Sequence, residues 1–90
     1  MIVARRFRVA GRVQGVGFRA FVLDAAGAEG LGGWVANTPD GDVEGWVEGE
    51  QEAVERFRRK LGRGPARARV DRVDFDEDTP GGLGRRFDIR

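Results

Sequence analysis

A two-layer α+β sandwich, in the order β-α-β-β-α-β with a short strand appended, is the fold this sequence predicts. Three observations carry that prediction: apolar–charged alternation near the N-terminus, a hairpin signal in the middle, and two runs with apolar residues at helical spacing. Such an order fits the split βαβ, or ferredoxin-like, arrangement, in which two helices cover one face of an antiparallel sheet. In residues 1–10, Val3, Phe7 and Val9 alternate with Arg6 and Arg8, as in a half-buried strand. Phe18, Phe21, Val22, Ala25 and Ala26 then recur at helical spacing, and a helix is expected over residues 20–28. Gly27 weakens its end, and Gly30 or Gly32 can terminate it.

Residues 33–37, Gly-Trp-Val-Ala-Asn, read as a strand, and Thr38-Pro39-Asp40-Gly41 as a turn. Val43, Gly45 and Val47 alternate with Glu44, Trp46 and Glu48, which completes the hairpin. In the second helix Ala53, Val54, Phe57 and Leu61 share one face, while Glu52/Arg56 and Glu55/Arg59 are spaced i,i+4 on the other. Gly62 can cap it, and Gly64-Pro65 breaks the chain. Val70, Val73 and Phe75 mark a further strand, whose spacing of three points to a bulge or a shifted register. Thr79-Pro80-Gly81-Gly82 is a loop, and Arg86-Phe87-Asp88-Ile89 a short final strand. The face away from the helices carries Arg6, Arg8, Trp34 and Trp46 and is expected to be the more open one, with the two tryptophans as a hydrophobic pair.

Ninety residues suffice for one core but not two, so one domain over residues 1–90 is expected. No apolar run is long enough to span a bilayer and no leader-like N-terminus is visible, so the chain is expected to be soluble and cytoplasmic. Cysteine is absent, which excludes thiol catalysis; histidine is absent, which removes the usual general base near neutral pH and the commonest metal ligand. The formal net charge is +1, with abundant but balanced charge, and a nucleic-acid binder would show a larger positive excess.

The strand-to-helix junction Gly11-Arg12-Val13-Gln14-Gly15-Val16-Gly17-Phe18-Arg19 carries the most chemical information. Its glycines permit positive φ and close approach of a ligand to the backbone. The first amides of the following helix lack intrahelical partners, and the helix dipole favours negative charge there. With an arginine in the first turn, the junction suits a phosphate-like anion; a glycine-rich turn with a surface arginine remains the plain alternative. The motif is not G-x-x-x-x-G-K-[ST], for no lysine follows, nor G-x-G-x-x-G, since Gly11, Gly15 and Gly17 are spaced four and two apart. One compact oxyanion fits it better than a nucleotide. Asn37 ends a strand expected beside the first, close to that junction, and its carboxamide both donates and accepts. A turn asparagine is the alternative reading there.

Taken together, residues 11–19 and the run Gly33-Trp34-Val35-Ala36-Asn37-Thr38-Pro39-Asp40-Gly41-Asp42-Val43-Glu44 closely resemble the two signature motifs of acylphosphatases. The likeness continues through Gly64-Pro65 and Val70 to Phe87-Asp88-Ile89-Arg90, so it covers essentially the whole chain. The resemblance implies hydrolysis of the carboxyl-phosphate bond of small acyl phosphates, without metal or other cofactor, by a monomer. It implies that Arg19 binds the substrate phosphate and that Asn37 positions the attacking water. Backbone amides of Gln14, Gly15, Val16, Gly17, Phe18 and Arg19 would line the phosphate site, where inorganic phosphate, the product, would compete. One departure is Glu29, where relatives place an apolar residue; beside Gly27 it suggests a frayed helix end away from the site.

The residue inventory agrees with that chemistry. An acyl phosphate expels a carboxylate with a pKa of about 4, which needs no general acid. Phosphoryl transfer through a loose transition state asks little of a base, so positioning and charge stabilisation dominate. A binding module that holds the phosphate without turnover is one rival reading; a free chain of this length, with both Arg19 and Asn37 present, speaks against it. An RNA-binding sheet is another. It would need exposed aromatics on central strands, whereas Phe7 shares parity with Val3 and Val9 and is expected in the core. No nucleic-acid or membrane partner is therefore expected.

Overall fold

Alternating apolar residues of the sheet and the apolar faces of two helices pack into one core. In the computed structural model, which describes all residues 1–90, seven elements follow one another: β1 (Ile2–Arg12), α1 (Phe18–Glu29), β2 (Gly32–Asn37), β3 (Val43–Glu50), α2 (Gln51–Arg63), β4 (Arg69–Asp78) and β5 (Phe87–Ile89). The sheet order is β4-β1-β3-β2-β5. The first four pair antiparallel, but β5 joins the edge of β2 in parallel, so the sheet is mixed rather than antiparallel throughout. Since β3 separates β2 from β1, the expectation that the Asn37 strand lies beside the first strand is corrected: Asn37 pairs with Val43, and Val43 with Val9.

Sixteen buried residues form the core. Every apolar position expected on α2 is buried: Ala53, Val54, Phe57 and Leu61. Phe7 is at the centre, with its ring edge-on to Phe57 at 5.5 Å and stacked on Phe75 at 6.4 Å. Gly45 makes room for it, because a Cβ there would overlap both the Phe7 ring and the Trp34 carbonyl oxygen. The irregular spacing in β4 is a bulge: Val70 pairs with Gly11 and Arg72 with Ala10, leaving Asp71 as the extra residue, after which Val73 and Phe75 face Val9 and Phe7. Trp34 and Trp46 are cross-strand partners on the open face, as expected.

Three local expectations change. First, α1 begins at Phe18, two residues before the range expected, and runs intact to Glu29, with Gly30 as its left-handed cap. Glu29 is not frayed: its carboxylate accepts from Arg56 Nε at 2.8 Å and lies 3.5 Å from Lys60 Nζ, tying α1 to α2. Arg56 thus pairs across the helices rather than with Glu52. Second, α2 passes through Gly62 and ends at Gly64. Third, Glu48 is buried although it shares the open face with Trp46. The β4–β5 connection folds over it, and its carboxylate accepts the amides of Gly81 and Leu83 at 2.7 and 2.9 Å. Alternation marks which way a side chain points, not whether a later loop covers it.

Two stability outcomes follow. Gly45→Ala should lower stability by roughly 2–3 kcal/mol through forced overpacking against Phe7 and the neighbouring backbone; an unchanged urea midpoint would contradict that close packing. The hydrogen bond from Arg56 holds the Glu29 carboxyl below its ordinary value. A depressed carboxyl contributes stability above the unfolded-state range and loses it as pH falls through the folded-state value. Glu29 is 12% exposed but Arg56 49%, so the pair is only partly shielded. Glu29→Gln should therefore cost no more than about 1 kcal/mol near neutral pH. Urea titrations of both proteins should show that gap closing on acidification.

Candidate active site

The phosphate-loop candidate is the five-residue connection from β1 to α1. Val13 and Val16 are buried and peg it to the core, while Gly15 and Gly17 adopt left-handed φ of 74° and 78° between and after them. An L side chain rarely takes that conformation, which is why glycine recurs at these two positions. Gly17 is the N-cap of α1 and supplies no side chain to the helix end; no acidic residue occupies the first turn. The first intrahelical bond is from Phe21 N to Gly17 O, 3.0 Å. The amides of Phe18, Arg19 and Ala20 are consequently free of helical partners at the positive end of the helix dipole.

A cavity of about 270 Å³ opens at this end, lined by Val13, Gly15, Gly17, Phe18, Arg19, Ala20, Asn37 and Ile89. Arg19 projects from the first turn of α1, and its Nη1 lies 3.5 Å from the main-chain oxygen of Arg90, a long contact that leaves the guanidinium available. Asn37 reaches the same cavity from the end of β2, with an exposed side chain. Of the residues singled out in the sequence, Gly15, Gly17, Phe18, Arg19 and Asn37 are brought together here. Gln14 and Val16 belong to the loop but not to the cavity wall: Val16 is buried, and the Gln14 side chain turns to the β2–β3 turn.

Two contributors were not legible beforehand. Ile89 reaches the cavity because β5 pairs in parallel with β2, placing it opposite Val35, and a three-residue strand carries no periodic signal for that. Arg90 follows, its amide donating to Val35 O at 2.8 Å and its guanidinium over the Trp34 ring at 4.7 Å. Val13, Phe18, Ala20 and Ile89 supply the apolar part of the cavity lining.

Elsewhere, the open face holds a cleft of about 230 Å³ lined in part by Arg6, Arg8, Trp34, Glu44 and Asp76. Its charges are mixed. Arg8 is engaged by Asp42 at 2.8 Å and by both oxygens of Asp40 at 2.8 Å. The Thr38 hydroxyl, followed by Arg8, holds the Asp40 carboxyl below its usual range. No group of three or more potential metal ligands gathers anywhere in the chain, and no helix is long and apolar enough to cross a membrane.

Residues from both sequence motifs, the glycine loop with Arg19 and the strand end with Asn37, thus line one cavity. A family model described as acylphosphatase matches residues 5–89. The chain belongs to the acylphosphatase family. It is 47% identical over 88 residues to the acylphosphatase of Anaeromyxobacter dehalogenans, covering 98% of this chain and 95% of that one. The crystal structure of the Bacillus subtilis acylphosphatase superposes with a TM-score of 0.93 at 38% identity, over 100% of this chain and 99% of that one. A full-length HypF, solved in a phosphate- and nucleotide-bound form, matches with a TM-score of 0.87 at 31% identity; this chain covers 12% of it.

The left-handed φ of Gly17, with nothing within 4 Å of an added Cβ, separates conformational strain from steric clash. Gly17→Ala should cost about 1–2 kcal/mol of stability and weaken inorganic phosphate binding, as read by thermal unfolding with and without phosphate. An alanine variant with unaltered phosphate stabilisation would show that the loop conformation does not matter to the anion.

Proposed function

We propose that this chain hydrolyses the carboxyl-phosphate bond of acyl phosphates, with the phosphate held by Arg19 and the backbone amides of loop 14–19, and with Asn37 orienting the attacking water. The convergence of Arg19, the free amides of α1 and Asn37 on one cavity is the observation that carries these roles. The water oxygen forms a bond to phosphorus as the bond from phosphorus to the acyl oxygen breaks, and that electron pair leaves on the carboxylate. One water proton passes to a phosphate oxygen, so R-CO-O-PO₃²⁻ and water give R-COO⁻ and H₂PO₄⁻. The leaving carboxylate is stable unprotonated near neutral pH, so no acid is required. Arg19 and the amides stabilise the charge on the equatorial oxygens, and Asn37, which can donate and accept, holds the water in line. All these groups come from one chain, so a monomer would be competent for the reaction.

The likeness to HypF, a much longer protein, favours one second reading: the same cradle holding a phosphate group without turnover. Measured hydrolysis of a simple acyl phosphate by this chain separates the two.

The deciding experiment is Asn37→Ala, with kcat, the inhibition constant of phosphate and Tm measured on one preparation. The expected outcome is a loss of about 10²–10³ in kcat, as for removal of one oriented polar group, with phosphate affinity almost unchanged. A stable, fully active variant would overturn the role of Asn37. Arg19→Lys should be nearly as damaging as Arg19→Ala, on the order of 10³-fold, because a point charge does not reproduce a planar bidentate donor. Retention of half the wild-type rate would contradict bidentate recognition. Inorganic phosphate should compete with substrate and EDTA should leave the rate unchanged; activity lost in EDTA and restored by a divalent ion would overturn the metal-free route.

A further inference from the structure

The two halves of the site arrive from different parts of the chain, and one side chain joins them directly. Asn37 is the last residue of β2, and the turn that follows is closed by its own bonds: Thr38 N to Asp42 O at 2.9 Å, Asp42 N to Thr38 Oγ1 at 3.0 Å, and the Thr38 hydroxyl to Asp40. Asn37's carboxamide takes no part in these bonds. Two side chains hold the turn from outside. Arg8 grips Asp40 and Asp42 from the open face. Gln14, in the phosphate loop, reaches across and donates both hydrogens of its amide, to Thr38 O at 2.8 Å and Asp42 O at 2.9 Å.

We propose that Gln14 is a positioning residue that acts through Asn37, its side chain fixing the turn that carries Asn37 relative to the phosphate loop. The inference rests on the reading of Asn37 as the residue that orients water. A carboxamide is the suitable group, because its two N–H donors lie in one plane and can bridge two carbonyls at once, whereas a carboxylate would only repel them. Without the bridge each half keeps its internal bonds, so the anion cradle survives. What is lost is the separation between the phosphorus and the water held by Asn37. A misplacement near 1 Å in such a relation can cost about 10²-fold in rate.

The test is a double-mutant cycle with Gln14→Met, which keeps the side chain's length and the loop's backbone amide. Alone, Gln14→Met should lower kcat by about 10²-fold while the inhibition constant of inorganic phosphate changes by less than about twofold. In the Asn37→Ala background it should cost almost nothing further, because residues that act through one another are not additive. Additive losses, an unchanged kcat, or a phosphate constant that weakens in step with kcat would each overturn the inference. Asn37→Ala that keeps full kcat contradicts the parent reading instead, so the two failures are distinguishable. Gln14→Glu, of the same shape, guards against poor folding of the methionine variant. Its kcat relative to wild type should recover as acidification protonates the new carboxyl and restores one donor, in a turn whose other ionisable groups (Arg8, Asp40 and Asp42) both proteins share. A relative rate flat with pH would overturn the inference.

Discussion

The junction between β1 and α1 has to reverse direction within five residues while both flanks stay packed in the core, and the remainder of the site depends on that constraint. Val13 and Val16 are its buried pegs. With both fixed, the intervening backbone reaches α1 only through left-handed turns at Gly15 and Gly17. The same turn leaves the N-terminus of α1 without a side-chain cap, so its first amides are committed to nothing else. Such an end suits an anion, and Arg19, in the first turn of α1, brings a full positive charge to the same cavity.

Sheet topology supplies the second half. With β3 between β1 and β2, Asn37 reaches the loop because both end at the same side of the sheet, not because their strands pair. The turn after Asn37 is bonded to its surroundings from two sides. Arg8 holds it from the open face and Gln14 from the β1–α1 loop. The distribution of charge fits this division of labour: Arg8 is consumed by three acidic neighbours, at 2.8, 2.8 and 3.6 Å, whereas Arg19 has only one long main-chain contact. Of these two arginines, the one at the cavity is free to bind.

The sequence is legible where one physical effect dominates. The apolar face of α2 and the parity of Phe7 were legible because burial alone decides them. So was the interruption near Val70, because a spacing of three cannot fit an unbroken ladder. Misreadings arose where a distant segment intervened. Glu29 looked unfavourable within its own helix, yet Arg56 and Lys60 from α2 satisfy it. Glu48 shares the parity of Trp46 on the open face, yet the β4–β5 loop buries it. Gly62 is a plausible stop, yet the helix runs one residue past it to Arg63 and is capped at Gly64. At the site, residue types and spacing pointed to Arg19, Asn37 and the glycine loop. Ile89 and the Gln14 side chain belong to contacts between elements more than twenty residues apart in the chain, and no local pattern encodes those.

The proposed hydrolysis requires a phosphate group to occupy the loop at the head of α1, beside Arg19 and Asn37. Titrating ¹⁵N-labelled protein with inorganic phosphate and following amide and side-chain resonances tests it most directly. Saturable shifts are expected at the amides of residues 14–19, the Arg19 guanidinium and the Asn37 carboxamide, with the open-face cleft silent. Shifts centred on Arg6, Arg8 and Trp34, with loop 14–19 unmoved, would contradict it.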